Sequence, residues 1–199
     1  LSQYGVHTLP VRLAPILERS GIHWFDYQAY ADSLSISSVQ VVQQYGPDGF
    51  TNYFDGDYMV FYNPSLPPKR MRFTLAHELG HIFLGHIGHF APLCACAGLT
   101  PDEQADLFAS YLLCPPLLLQ ALKVNSPQQV AAWCDVSLPC AKRAFGILQQ
   151  TLQTPHACLQ NEETRLLAHF APFLSTALQN SGETDSLMPP KHLGLARRL

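Results

Sequence analysis

Arg72-Phe-Thr-Leu-Ala-His77-Glu78-Leu-Gly-His81-Ile-Phe-Leu-Gly-His86 is the stretch on which the reading of the whole chain turns. Within it, His77-Glu78-x-x-His81 has the spacing of a zinc-peptidase helix. Residues four apart on an α-helix are offset by about 40°, so both imidazoles leave one face about one turn apart. Two neutral ring nitrogens then supply two of the three protein ligands that an open zinc site needs. Glu78 can lean towards the remaining position, take a proton from a metal-held water and pass one to a leaving amine. The flanking Leu75, Ala76, Leu79, Ile82, Phe83 and Leu84 describe a buried helix. An unpartnered carboxylate is costly in such surroundings, and a metal gives the polar residues a reason to be there.

Outward from this helix, composition narrows the class. With 199 residues, 47% hydrophobic and 14% charged, the chain can bury one sizeable core. A formal net charge of −3 leaves no electrostatic footprint for nucleic acid. The most apolar stretch, Tyr111 to Leu122, is interrupted by Pro115 and Pro116, which argues against a membrane span. The first residues lack a basic region followed by an apolar one, so no secretion signal is expected. Among the six cysteines, Cys114 and Cys134 lie in apolar, helix-like surroundings where reduced thiols pack as small hydrophobes. Reduced thiols in a cytoplasm are the expectation. Cys94-Ala-Cys96 could reach a metal, but it lacks the paired spacing of a structural zinc site.

Upstream, Val11 to Arg19 has the spacing of a short amphipathic helix ending near Gly21. Ile22 to Tyr30 is aromatic and partly alternating, which suits an edge strand, whereas Val39 to Val42 fits strand or helix equally. Gly49 to Phe54, Asp55-Gly56 and Asp57 to Tyr62 read as a β-hairpin around a tight turn, closed by Asn63-Pro64 and Pro67-Pro68. An exposed strand edge beside a metal helix could hold an extended peptide by its main chain.

The third ligand has to come from elsewhere. Gly85 and His86 each miss the metzincin offsets by one position, in opposite directions, and His89 lies on the loop side, so neither histidine is expected to ligate. Thr100-Pro101-Asp102-Glu103-Gln-Ala-Asp106 opens a second helix: Thr100 caps it, Pro101 suits its first position, and Glu103 completes a capping box. That leaves Asp102 and Asp106 on one face. One can bind the metal while the other orients a ligand histidine.

These two motifs, Arg72 to His81 and Ala105-Asp-x-Phe-Ala-x-x-Leu-Leu-x-Pro, resemble the ImmA/IrrE family of metallopeptidases, with the likeness running over roughly residues 10 to 150. The resemblance implies an α+β, compact zincin-like domain of the gluzincin kind. It has a small antiparallel sheet beside the metal-binding helices and a helical C-terminal part. It also implies a bacterial or phage cytoplasmic peptidase that cleaves a helix-turn-helix repressor in a stress or mobile-element switch. By position, His77, His81 and Asp102 become metal ligands, Glu78 the catalytic acid/base and Asp106 the partner of a ligand. The family usually has glutamate where this chain has Asp102. Aspartate is one methylene shorter, so the helices must sit closer or Glu103 must turn in instead. Zinc is the default ion for this set, and Mn2+ or Fe2+ could use the same donors.

The expected organisation is a metallopeptidase domain over 1–123, a helical segment over 124–180 packed on it, and a flexible tail over 181–199. Pro127 to Trp133 and Leu138 to Leu148 read as two short helices with Ser137 capping the second, and Glu162 to Leu178 as a further helix. The pair resembles half of a helix-turn-helix, but only Lys142 and Arg143 add positive charge, so direct nucleic-acid binding is not expected. Two other functions fit parts of the sequence. A non-catalytic protein-binding module stabilised by metal predicts a fourth protein ligand, such as Cys94 or Cys96. A DNA-binding regulator predicts salt-sensitive duplex binding.

Overall fold

The computed structural model describes residues 1–88, 98–153 and 160–181. The chain divides into two compact units, one of Leu13–Ala109 and one of Leu1–Arg12 with Ser110–Leu199.

The first unit begins with α1 (Ala14–Arg19), which carries Pro15 in its opening turn, where the missing N–H has no partner to lose. Strand β1 (His23–Asp26) runs directly into α2 (Tyr27–Leu34) because the Asp26 carboxylate accepts from Ala29 N at 2.8 Å and caps that helix. The aromatic run expected as one strand to Tyr30 therefore ends at Asp26. A reciprocal capping box between Ser37 and Gln40 then opens α3 (Ser38–Tyr45), which resolves Val39 to Val42 as helix.

β2 (Gly49–Phe54) and β3 (Asp57–Tyr62) form the expected hairpin, in register from Gly49 opposite Tyr62 to Phe54 opposite Asp57. Both turn residues, Asp55 and Gly56, have positive φ, which matches the twist of the strands they join. The sheet order is β1-β3-β2, so β1 is an edge strand as expected, but it pairs with β3 in parallel, His23 opposite Met59. The small sheet is thus mixed rather than antiparallel. Parallel neighbours need a crossover, and α2 and α3 lie in the connection. Tyr27, Ala31, Val41 and Phe61 are buried together, with Phe50 stacked on Tyr45 at 4.1 Å beside them.

Helix α4 (Pro68–Phe83) packs on β2 and β3. Helix α5 (Pro101–Leu113) follows, and the division between the units falls inside it, after Ala109. The second unit adds α6 (Pro116–Ala121), α7 (Pro127–Cys134), α8 (Leu138–Gln153) and α9 (Gln160–Ser181). In it α8 packs on α6 and α7, and α9 on α6. Trp133 is buried against the edge of Phe173, and Cys114 and Cys134 are buried thiols, as their surroundings suggested. No helix among the described residues is long and apolar enough to cross a membrane.

Candidate metal centre

Helix α4 carries its polar residues inward because two neighbours approach it unusually closely. On one side Gly49 of β2 meets Thr74: a Cβ at position 49 would stand 2.6 Å from Thr74 Cγ2 and 2.9 Å from Phe61 O. On the other, a Cβ on Gly80 would lie 3.0 Å from Ala105 Cα and 3.1 Å from Ala105 O of α5. A side chain at position 49 would force a shift, and one at position 80 would press on the α5 backbone. The first approach brings Thr51 of β2 to Glu78. The second brings the acidic face of α5 to the histidines, which meets the requirement that the short side chain of Asp102 imposes.

Asp106 Oδ1 lies 2.9 Å from His77 Nδ1. A carboxylate only accepts, so His77 carries its proton on Nδ1 and turns the lone pair of Nε2 inward. That atom stands 3.0 Å from His81 Nε2, which is itself 3.3 Å from Asp102 Oδ1. All three donors fall within 4.8 Å of one another. Donors that share one zinc at bonds of ~2.1 Å stand roughly 3–4 Å apart, so two imidazoles and a carboxylate here fit one divalent ion. The Asp102 side chain is 84% exposed and has room to complete the set by rotation. Burial holds the His81 imidazole below its ordinary pKa, with His77 and His86 adding to the effect and Asp102 opposing it. The neutral, ligating form is the one favoured.

Glu78, only 7% exposed, accepts a hydrogen bond from Thr51 Oγ1 at 2.6 Å. Burial pushes its carboxyl above the usual range, the Thr51 hydroxyl and His77 pull it back, and Asp102 adds to the rise. A carboxylate with raised proton affinity beside a cluster of metal donors has the chemistry of a general base.

Glu103 does not point into this cluster. Its Oε2 accepts from Thr100 N at 2.8 Å and lies 2.9 Å from Thr100 Oγ1, while Glu103 N donates to Thr100 Oγ1 at 3.3 Å. These bonds hold its carboxyl below the usual range and occupy it in the capping box. His86 is not among the convergent donors; its ring lies against that of His81, with centroids 5.1 Å apart. His89, Cys94 and Cys96 lie outside the described residues. The sequence reading passed over Thr51 and Gln104. A hydroxyl residue two positions after a strand glycine carries no signal of a partner 27 residues on.

The peptidase family model described as the IrrE N-terminal-like domain matches residues 40–129, a span that holds every residue of this cluster. No curated protein and no solved structure matches the chain.

Proposed function

We propose that the chain, whose residues 40–129 match the IrrE N-terminal-like peptidase model, is a zinc-dependent endopeptidase acting in the cytoplasm on a protein substrate, a helix-turn-helix repressor. The observation that carries the proposal is the convergence of His77 Nε2, His81 Nε2 and Asp102 Oδ1 beside the buried Glu78. His77, His81 and Asp102 would hold the ion. When bound, the ion polarises the scissile carbonyl and makes water a nucleophile near neutral pH. Zinc suits two imidazoles and a carboxylate, and manganese or iron takes the same donors.

The remaining work falls to the chain. Thr51 fixes one oxygen of Glu78 and so sets the direction of the carboxylate. Glu78 takes a proton from the attacking water as the new C–O bond forms, then delivers it to the nitrogen as the C–N bond breaks. Asp106 keeps His77 in the tautomer that presents Nε2. The repressor as substrate rests on the family resemblance.

The test is Glu78→Gln, which keeps the shape of the side chain and removes the base. Metal content should remain at one ion per chain, while cleavage of quenched fluorogenic peptides or of co-expressed repressors falls roughly 10²–10⁴-fold. Undiminished cleavage would overturn the mechanism.

A further inference from the structure

Helix α4 ends in a stop that folds the chain back onto the metal cluster. Gly85 N donates to Ile82 O at 3.1 Å and His86 N to His81 O at 2.8 Å, with Gly85 at φ +75°. This is a Schellman motif, in which the second residue past the cap returns to the third residue before it. In most such motifs the returning pair is apolar. Here it is His86 on His81, and their Nδ1 atoms stand 3.1 Å apart. Beyond them, His86 Nε2 lies 3.4 Å from Gln104 Oε1, and Gln104 Nε2 donates to Leu99 O at 3.0 Å.

The protons of this chain can be assigned from its outer end inward. A carbonyl only accepts, so the Leu99 oxygen fixes the Gln104 amide with its nitrogen outward and Oε1 towards His86. Oε1 also only accepts, which puts the His86 proton on Nε2 and leaves Nδ1 as an acceptor. With an ion taking Asp102 Oδ1, which stands 3.3 Å from His81 Nε2, no proton lies between those two atoms. His81 then carries its own proton on Nδ1, donates it to His86 Nδ1, and keeps on Nε2 the lone pair that faces His77 Nε2.

We propose that His86 and Gln104 are positioning residues for His81, selecting the tautomer and ring orientation in which Nε2 is presented as a metal donor. The proposal deepens the metallopeptidase reading and rests on it. It gives the two histidines different supports: His77 is held by the carboxylate of Asp106, His81 by a chain of neutral groups ending on a main-chain carbonyl. Neither His86 nor Gln104 contacts the ion.

The test compares His86→Leu, His86→Asn and Gln104→Leu with the unaltered protein. Zinc affinity is measured by chelator competition, and the His81 ring by two-bond 1H–15N correlation, before and after zinc is added. Loss of a group that orients a ligand typically weakens metal binding ~10–100-fold, which is expected for His86→Leu. Asn offers an oxygen near the position of Nδ1, so His86→Asn should recover affinity to within a few-fold and keep the protonated Nδ1 of His81. Gln104→Leu should weaken zinc less than His86→Leu and admit the other His81 tautomer. Unchanged affinity and tautomer in His86→Leu would overturn the proposal, as would His86→Asn behaving like His86→Leu. If His86→Leu does not fold, Gln104→Leu decides on the same two readouts. An unaltered protein that takes up no zinc would sink the metallopeptidase reading instead, and the His81 tautomer in that protein would still decide the relay.

Discussion

Helices α4 and α8 are each 16 residues long, yet they carry opposite loads. α8 buries Ala141, Ala144 and Leu148 and leaves Lys142 exposed, so its pattern follows from burying one apolar face. α4 buries Thr74 and Glu78 beside Leu75, Ala76 and Leu79, and each of its buried or half-buried polar groups at the cluster finds a partner on another segment. α8 is stabilised by what it hides. α4 is tolerated because β2, α5 and the turn after Gly85 satisfy what it hides. Stability and chemistry should therefore separate by helix.

After the loss of cleavage expected for Glu78→Gln, the largest effect should come from the apolar side. Leu148→Ala should lower unfolding free energy by about 2–5 kcal/mol in denaturant titration while zinc content stays the same. A loss of zinc from the folded variant would break the separation. Next comes the α5 contribution to the cluster. Asp102→Ala should weaken zinc by ~100-fold or more, about 2.7 kcal/mol, while Glu103→Ala keeps the metal and slightly destabilises the start of α5. The reverse pattern in chelator competition would move the third ligand one residue along.

How much of this was legible follows the same division. The β2–β3 hairpin, the start of α5 and the spacing of His77, Glu78 and His81 are local, and neighbouring residues specify them. So is the capping role of Glu103, whose carboxylate accepts from Thr100 N. Two local signals were present: Asp26 and Ser37 are good helix caps, but aromatic residues after Asp26 suggested strand instead, and β-branched residues after Ser37 left strand and helix equally open. The parallel pairing of β1 with β3 was not legible, since it joins segments across two helices. Gly80 carries no local signal of the Ala105 backbone that packs against it. Ligand offsets do not reveal the contact of His86 with His81, because it depends on the helix stop at Gly85.

The smallest effect offers the most direct check that the buried charge of α4 is real. The Tyr27 phenol donates to Gly46 O at 3.1 Å and is pushed up to about 12, by burial first and then by the negative charges of Glu78 and Asp48. An acid whose folded pKa exceeds its unfolded value of ~10 favours folding most at lower pH. Between pH 10 and 12 the unfolded chain loses the proton first, so this contribution fades as pH rises through that window. Subtracting the phenolate absorbance titration of Tyr27→Phe from that of the unaltered protein isolates the Tyr27 step. In Glu78→Gln the step should move to lower pH but stay above the ordinary tyrosine value, because burial, the larger cause, remains. Leu148→Ala should leave it in place. If Glu78→Gln left the midpoint unmoved, burial and Asp48 alone would hold the Tyr27 phenol up, and the charge of Glu78 would not reach across to α2.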